Sequence, residues 1–401
     1  MERLHPRNDQ DLAALIADAR ARARGLHVVG GGTRAGLGHP VAAGAVLDLS
    51  AFAGIEVYEP AEQVITLGPA TRLSDVAAVL AEKGQRLSFD PPDTGPLFGE
   101  GAGLGTIGGA IAANLSGPAR PRAGAARDHL LGVDAVTGRG EIFKAGGRVV
   151  KNVTGYDLPK LIAGSFGTLA AMTRVTLRVA GLPAASVTAV LLDLEAAAAG
   201  RVMQAIAGSA LEPVALAYLP AATAVRCRHH PLAAAAVLAR FEGPAAALPE
   251  RLSDLQALAG PAAPIEVIED EDSDETWSAI RDVAGLLPEG ERALWRIAVP
   301  PAAGCTLAHG LAADLPGAHW FADWGGGRVW LSVPAGAEAG AALIRPRVRA
   351  AGGHAQLFRA PLAVKAAVPV FEPLEPGRAL VESRVRDAFD PARILNPGKL
   401  G

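Results

Sequence analysis

The sequence is poor in cysteine, in aromatic residues and in net charge. Its 401 residues include two cysteines, Cys227 and Cys305, too far apart to suggest a disulfide framework, a redox pair or a metal-binding pair. A formal net charge of −3 gives no basis for nucleic acid or an anionic membrane surface as a partner. Aromatics make up 4% of a chain that is 50% hydrophobic. The apolar part is therefore mostly small and aliphatic, which favours tightly packed α/β layers.

Two further absences concern location. No apolar stretch reaches the roughly 20 residues that a membrane-spanning helix needs. The N-terminus lacks the cationic and apolar regions of a secretory signal. We therefore expect a soluble, cytoplasmic protein whose thiols stay reduced. A chain of this length can form two or three domains with substantial cores.

The sequence is rich in glycine. The first glycine cluster lies in a loop that follows the apolar segment 26–29. Glycines stand at Gly30, Gly31, Gly32 and Gly36. They let the backbone turn without Cβ clashes and bring consecutive N–H groups close to one anion. A nucleotide pyrophosphate fits such a loop, and a plain glycine turn is the alternative.

The loop formally fits the Rossmann fingerprint, but its surroundings do not. Only a few residues, rich in glycine, separate Gly36 from the apolar segment that starts at Ala45, too few for a crossover helix. The amphipathic helix is instead predicted before the loop, at about 9–24, with Asn8 or Asp9 as its N-cap. The order helix, strand, glycine loop, strand argues against NAD on a Rossmann fold.

A second segment, 99–117, is even denser in glycine and alanine. It predicts another close approach of backbone to a ligand. For any single residue of the segment, a small-residue helix packed on a sheet is the alternative. Two such loops in one domain favour a large nucleotide-containing ligand.

Five motifs occur in order and carry a resemblance to a known family. They are the loop 29–36, the run 105–117, the segments 151–158 and 164–169, and the tail 393–399. Together they resemble the vanillyl-alcohol-oxidase or p-cresol-methylhydroxylase (PCMH) type of FAD-binding domain. Within that group the chain is most similar to the family of E subunits of bacterial glycolate oxidase. The resemblance covers 1–180 and the tail, whereas the middle is matched only by length and loose pattern.

The resemblance implies an α+β fold in three parts. A PCMH-type FAD-binding domain of two α/β subdomains would occupy 1–180, an α+β cap 181–361, and a C-terminal segment, 362–401, would return to the flavin. Within the cap, apolar segments alternate with Ala-rich helical ones, which supports that class. The run from Asp323 to Trp330 predicts a hairpin turn, and the acid-rich stretch 266–275 predicts the start of a solvated helix.

Site residues follow from the same resemblance, position by position. The pyrophosphate loop would be Gly30, Gly31, Gly32, Thr33, Arg34 and Gly36. The flavin and its ribityl chain would be lined by Pro92, Gly108, Gly109, Asn114 and Gly117. The adenosine end would lie near Gly167 and Met172, and Asn396 would reach the isoalloxazine. Phe166 departs from the family pattern, because many relatives carry Glu there.

Covalent attachment of the flavin is not expected. The histidine or cysteine that forms such a link would stand near the phosphate loop or in the second loop. Thr33 and Arg34 occupy the loop position, and His39 lies further along. We therefore expect noncovalent FAD.

No catalytic residue and no metal site are predicted. The cap lacks the His-rich metal motif of catalytic D subunits, and Arg226 and Arg228 would repel a cation from the pair His229–His230. Three arginines after the second glycine loop are open to two interpretations. Arg120, Arg122 and Arg127 could bind a carboxylate substrate, or Arg127 could form a structural ion pair with Asp128.

The resemblance, together with the missing metal motif, implies the FAD-binding subunit of a glycolate oxidase (glycolate dehydrogenase) complex. It would relay electrons from 2-hydroxy acid oxidation, through a catalytic flavoprotein subunit, toward an iron–sulfur subunit. The alternatives are a self-sufficient FAD-dependent 2-hydroxy acid dehydrogenase and a scaffold that has lost its flavin. Such a subunit would reside in the cytoplasm and reach the inner face of the cytoplasmic membrane only through its partners.

Overall fold

The structure is a computed structural model that describes residues 1–147, 155–227, 234–260 and 265–401. Part of the predicted motif 151–158 and the pair His229–His230 lie outside these residues. The chain forms two compact units. Unit 1 comprises 1–116, 124–182 and 373–401, and unit 2 comprises 117–123 and 183–372. The segment 117–123, placed by the sequence in the first domain, belongs to unit 2, as does 362–372.

The strands of unit 1 are, in chain order, β1 (Glu2–Leu4), β2 (Leu26–Val29), β3 (Ala45–Asp48), β4 (Ile55–Glu59), β5 (Val64–Leu67), β6 (Gln85–Arg86), β7 (Leu130–Thr137), β8 (Ile142–Gly146), β9 (Ala170–Arg178) and β10 (Ala180–Gly181). Those of unit 2 are β11 (Ala185–Leu192), β12 (Ala215–Leu219), β13 (Ala236–Gly243), β14 (Ile265–Glu269), β15 (Arg292–Ala298), β16 (His319–Asp323), β17 (Arg328–Pro334) and β18 (His354–Arg359).

The α-helices of both units are, in chain order, α1 (Asp9–Ala21), α2 (Leu73–Ala81), α3 (Ile107–Ala112), α4 (Arg120–Ala123), α5 (Ala126–His129), α6 (Leu158–Ile162), α7 (Ala196–Ala207), α8 (Ala221–Ala224), α9 (Leu248–Ala259), α10 (Asp270–Arg281), α11 (Gly304–Asp314), α12 (Ala341–Ala350), α13 (Leu362–Ala367) and α14 (Pro376–Phe389). Within the described residues, none of them is long and apolar enough to cross a membrane.

Unit 1 contains two main sheets. One is antiparallel, in the order β4–β5–β9–β7–β8, and the other is parallel, in the order β1–β3–β2. Helix α1 begins where the sequence predicts, because the Asn8 side chain accepts a hydrogen bond from the Asp11 N–H at 2.9 Å. Its apolar face buries Leu12 and Ile16 against the parallel sheet. The order helix, strand, glycine loop, strand is therefore confirmed.

The C-terminal segment completes unit 1. Leu395 forms a parallel bridge with Leu26 at the start of β2, and both leucines are buried. The Leu395 N–H donates to the buried Asp390 carboxylate at 2.7 Å. The tail thus extends the parallel sheet beside the strand that leads into the first glycine loop.

Unit 2 is built on one antiparallel sheet, in the order β14–β11–β13–β12–β16–β17–β15–β18. One face of this sheet packs on α7, α9, α11 and α12, with Trp295 and Leu331 among its buried side chains. On the other face, Trp277 of α10 donates from Nε1 to the Thr188 hydroxyl at 2.8 Å. The predicted hairpin is present, because Asp323 pairs with Arg328 across the β16–β17 turn.

One local expectation in unit 2 is wrong. The acid-rich stretch 266–275 does not begin as a helix, because its first residues belong to β14, which pairs antiparallel with β11. The helix α10 starts only at Asp270. The apolar Ile265 and Val267 alternate with the acidic Glu266, a pattern that is compatible with an exposed edge strand. The pairing with β11 makes this segment a strand and not the start of a helix.

Candidate functional site

A cleft in unit 1 opens around the first glycine loop. Its walls come from the end of β2, the loop itself, α3 and the C-terminal tail. They are lined by His27, Val28, Val29, Gly30, Gly31, Gly32, Thr33, Arg34, Ala35, Leu37, Thr106, Gly109, Ala112, Ala113, Phe166, Asn396 and Lys399. The structure thus brings together the predicted residues Gly30, Gly31, Gly32, Thr33, Arg34, Gly109 and Asn396.

The first and second glycine loops are in direct contact. A Cβ atom at Gly31 would lie 2.6 Å from the Leu104 carbonyl oxygen, so only glycine fits this contact without rearrangement. Gly32 has φ of 77°, which glycine adopts without strain. In the described part of the chain, the N–H groups of Gly31, Gly32 and Thr33 donate no hydrogen bond to the protein. They are available to a bound anion.

Arg34 joins the two loops through its guanidinium. Nη2 donates to the Pro92 carbonyl oxygen at 3.0 Å and Nη1 to the Thr106 carbonyl oxygen at 3.4 Å. A Cβ atom at Gly109 would lie 2.8 Å from Nη1. The guanidinium therefore adds positive charge to the cleft and also fixes the relative position of its loops.

Three tail contacts shape the opposite wall. Asn396 accepts from the Val28 N–H at 2.8 Å and donates from Nδ2 to the Phe166 carbonyl oxygen at 2.8 Å. The buried Lys399 ammonium donates to the Ala35 carbonyl oxygen at 2.7 Å. The Asn396 amide and the Lys399 ammonium therefore connect the tail by hydrogen bonds to both ends of the glycine loop.

His27 is the titratable group next to this positive charge. Burial and the Lys399 ammonium lower the pKa of His27 below its ordinary value, because both disfavour a charged imidazole. The cleft therefore carries the guanidinium of Arg34 and the ammonium of Lys399 on this side, and the lowered pKa of His27 favours its neutral imidazole. Such a donor set suits a pyrophosphate.

Several predicted site residues hold the cleft's surroundings in place. Gly36 packs on the Phe98 ring and Gly108 packs on Pro69, in each case where a Cβ atom would clash. Pro92 offers its carbonyl oxygen to Arg34. Asn114, at φ of 47°, accepts from the Arg127 N–H at 3.0 Å. These residues do not line the cleft itself.

The remaining predicted residues lie in three different environments. Gly167 lies beside the Asn396 amide, where a Cβ atom would approach Nδ2 to 2.9 Å. Met172 is a core residue of the antiparallel sheet in unit 1. Gly117 belongs to unit 2, where its carbonyl oxygen accepts a hydrogen bond from Trp324 Nε1 at 3.0 Å.

The three arginines after the second glycine loop lie in three different environments. Arg120 lies in unit 2 with its guanidinium carbon 4.4 Å from the centre of the Trp324 ring. Arg122 forms an exposed ion pair with Glu212 at 3.0 Å. Arg127 belongs to unit 1 and is exposed, and the neighbouring Asp128 carboxylate accepts from the Ala125 N–H at 2.9 Å.

Sequence reasoning missed the roles of His27, Thr106 and Lys399 in the cleft. Thr106 caps α3, since its hydroxyl accepts from the Gly109 N–H at 3.3 Å, and a Thr before a helical run is a detectable N-cap signal. Lys399 belongs to the tail motif, but no local pattern indicates that its ammonium reaches Ala35. His27 carries no signal beyond its place in β2.

Comparisons with known proteins agree with this geometry. Residues 3–146 match the family model described as FAD binding domain. The chain is 32% identical over 379 residues to glycolate oxidase subunit GlcE of Escherichia coli (strain K12), covering 94% of this chain and 92% of that protein. It is also 32% identical over 174 residues to a D-lactate dehydrogenase of Archaeoglobus fulgidus, covering 43% of this chain and 37% of that protein.

The fold as a whole has a solved counterpart. A crystal structure of p-cresol methylhydroxylase with substrate bound superposes with a TM-score of 0.77 at 11% identity, covering 100% of this chain and 88% of that one. This likeness confirms the predicted PCMH-type fold. Since the match to the Escherichia coli protein extends along nearly the whole of both chains, this protein is an FAD-linked oxidoreductase that belongs to the family of glycolate oxidase subunit GlcE.

Proposed function

We propose that this protein is the FAD-binding subunit of a glycolate oxidase complex and relays electrons from 2-hydroxy acid oxidation to an iron–sulfur subunit. The main support is the match over 94% of the chain to a protein named as a subunit of glycolate oxidase. A catalytic flavoprotein subunit would be the other partner. The complex would lie in the cytoplasm and contact the inner face of the membrane only through its partners.

The residues of the unit 1 cleft fit FAD. The N–H groups of Gly31, Gly32 and Thr33 and the guanidinium of Arg34 would hold the pyrophosphate, as argued from their geometry above. Asn396 and Phe166 would fix the wall of the cleft on the tail side. When bound, the flavin supplies the group that accepts and passes on electrons. Noncovalent retention is part of the proposal, because no cysteine or histidine is among residues 30–37 of the loop.

The proposal assigns no catalytic base to this chain. Oxidation of a 2-hydroxy acid needs a group that takes the hydroxyl proton and a cation that orients the carboxylate. Within the described residues, no three His, Cys, Asp or Glu side chains are grouped so that they could hold a metal ion. The first chemical step is therefore assigned to the partner. A self-sufficient FAD-dependent 2-hydroxy acid dehydrogenase is the alternative.

One experiment separates the two functions. The purified chain and the complex reconstituted with its two partner subunits are brought to equal flavin content and assayed with glycolate and an artificial electron acceptor. We expect the chain alone to turn over at less than about one hundredth of the rate of the complex. Turnover by the lone chain at the rate of the complex would contradict the relay and establish the alternative.

The flavin content of the lone chain is the control for this assay. A chain that binds FAD in a one-to-one ratio but does not turn over glycolate supports the relay function. A correctly folded chain without flavin at saturating FAD would contradict the proposal, because a relay subunit must carry the cofactor.

A further inference from the structure

His27 lines the unit 1 cleft, and the site described above gives its side chain no role. It is the second residue of β2, between Leu26 and Val28, whose side chains pack in the core beside α1. Because side chains alternate along a strand, the His27 imidazole lies on the opposite face of the parallel sheet. A titratable ring is therefore placed on the side of β2 that borders the cleft.

The position of His27 is fixed from both edges of its strand. On one edge, His27 pairs with Val46 of β3. On the other, the Asn396 N–H donates to the Leu26 carbonyl oxygen at 2.8 Å, and the Val28 N–H donates to the Asn396 side chain, also at 2.8 Å. The sheet and the tail thus determine where the half-buried imidazole stands relative to the glycine loop.

The charged groups around His27 come from three elements. The tail contributes the buried Lys399 ammonium, and the glycine loop contributes the Arg34 guanidinium, which also lines the cleft. A row of paired residues leads across the sheet from His27 through β3 to Arg3 of β1, and Arg3 forms an ion pair with Asp48 at 2.7 Å. The groups nearest the ring within the cleft are therefore cationic.

These surroundings favour a neutral imidazole as long as no anion is bound. Burial and, to a smaller extent, the Lys399 ammonium lower the pKa of His27 from its ordinary value of 6.5. A pyrophosphate held by the N–H groups of the loop would bring two negative charges into the same cleft. Opposite charge stabilises the protonated ring, so the pKa of His27 should rise when the pyrophosphate binds.

We propose that His27 takes up a proton when FAD binds, and that its imidazolium then balances part of the charge of the pyrophosphate. The choice of FAD as the ligand rests on the proposed function. Because one group is neutral in the free chain and protonated in the loaded chain, the proton and FAD bind cooperatively. FAD affinity should therefore increase as pH falls, until His27 is protonated in the free chain as well.

The first measurement is the number of protons taken up when FAD binds to the full chain in its apo form. Calorimetric titrations at about pH 7 in phosphate and in Tris, whose ionisation enthalpies differ, give this number. We expect about half a proton per FAD, and a dissociation constant that falls by about threefold to thirtyfold from pH 8 to pH 6. The pyrophosphate keeps both negative charges over this range, so the proton goes to the protein.

His27→Gln removes the titrating group and keeps a side chain that can donate a hydrogen bond. It should bind FAD without proton uptake, and with an affinity that varies less than about twofold between pH 6 and pH 8. The matched controls are His39→Gln and His5→Gln. The His39 N–H donates to the Lys399 carbonyl oxygen at 3.0 Å, and the His5 ring lies 3.7 Å from the Asp48 carboxylate, but neither histidine is among the residues that line the cleft. Both controls should keep the proton uptake of the unchanged chain.

Histidine ring signals in nuclear magnetic resonance spectra cover the case in which His27→Gln does not fold. The chain is labelled with ¹⁵N-histidine and titrated with acid in the absence and presence of FAD. One ring signal should show a pKa that rises by about one unit or more when FAD binds. The same signal should persist in the double variant His5→Gln/His39→Gln.

Three results would overturn the proposal. They are FAD binding without proton uptake, a folded His27→Gln chain that takes up as many protons as the controls, and the absence of any histidine ring whose pKa rises with FAD. In each case FAD still binds, so the proposed function would stand while the role of His27 fails. A chain that bound no FAD at any pH would overturn both. Turnover of glycolate by the complex does not enter these measurements, so the relay can fail while the proton uptake stands.

Discussion

The side-chain amide of Asn396 donates to the carbonyl oxygen of Phe166 at 2.8 Å, across 230 residues of sequence. The same amide accepts from the Val28 N–H, so it joins the tail, the segment before β9 and the strand that leads into the glycine loop. Asn396 is buried and has φ of 44°, a conformation that asparagine tolerates better than most residues. Its amide therefore organises the cleft from inside.

Asn396→Asp should lower FAD affinity by about tenfold to a hundredfold. Loss of a hydrogen bond that is buried or involves a charged group costs about 1.5–3 kcal/mol, and this free energy corresponds to that change in affinity. The change keeps the acceptor for Val28 but places a carboxylate oxygen against the Phe166 carbonyl oxygen. It also adds negative charge to the cleft in which we propose that the pyrophosphate binds. FAD titration of the apo chain by fluorescence quenching measures the effect.

Asn396→Gly is the matched control for backbone strain. It tolerates the positive φ but removes both side-chain hydrogen bonds. It should bind FAD more tightly than Asn396→Asp and more weakly than the unchanged chain. Equal affinity of all three chains would mean that the amide has no part in organising the cleft.

Arg34→Ala should weaken FAD binding about tenfold, because it removes one positive charge and leaves the Pro92 and Thr106 carbonyl oxygens without this donor. Arg34→Glu should weaken binding further, since it sets a negative charge beside the pyrophosphate. The exposed Arg20, on α1, provides the control Arg20→Ala, which should leave the affinity unchanged. If Arg34→Glu bound FAD like Arg34→Ala, the electrostatic part of this explanation would be wrong.

Removal of residues 390–401 should release FAD from the chain while unit 2 stays folded. The deletion takes away the Leu395 bridge to Leu26, the Asn396 amide and the Lys399 contact to Ala35. Flavin absorbance after gel filtration reports the loss, and limited proteolysis reports the integrity of 183–372. A truncated chain with a full complement of FAD would show that the tail is dispensable for the site.

Acid precipitation of the FAD-loaded protein should leave the yellow flavin in the supernatant. No histidine or cysteine stands among residues 30–37 of the loop, and under the proposed function the loop's N–H groups would hold the cofactor only while the fold is intact. The visible flavin absorbance of the supernatant and of the redissolved pellet gives the two fractions. Flavin that remained in the pellet would establish a covalent link and contradict the noncovalent assignment.

Stability should fall in acid partly through Asp48. Burial acts to raise the pKa of this carboxyl, but hydrogen bonds from Arg3 and Ser50 outweigh it and hold the pKa below its ordinary value. A carboxyl with a lowered pKa in the folded state stabilises the fold above its unfolded pKa and loses that contribution as pH falls through its folded pKa. The stability gap between the unchanged chain and Asp48→Asn should therefore shrink as pH drops below about 4.

Urea unfolding at a series of pH values between about 6 and 3 measures this gap. The exposed Glu62, which ends a short 3₁₀ turn, provides the control Glu62→Gln. That variant should follow the unchanged chain across the series. A gap for Asp48→Asn that stayed constant with pH would mean that Asp48 does not titrate differently in the folded and unfolded states.

Much of the flavin domain's local structure was accessible from the sequence. The Asn8 cap, the periodicity of α1 and the glycine loop predicted the order of elements correctly, because caps, periodicity and turn chemistry act over a few residues. The hairpin after Asp323 was predicted for the same reason. The strand that begins at Ile265 was not predicted. An edge strand and the start of a helix can both have a sequence that mixes acidic and apolar residues, and here the pairing with β11 selects the strand.

The sequence by itself determined the family, the fold class, the FAD cofactor and the residue types that turn the two glycine loops. Only the tertiary structure decided which side chains meet. It placed Asn396 against Val28 over a separation of 368 residues, assigned Gly117 to unit 2, and brought Arg120 and Arg328 to the ring of Trp324. The physical reason is that such contacts depend on sheet register and on the packing of distant apolar surfaces, and no local pattern encodes either.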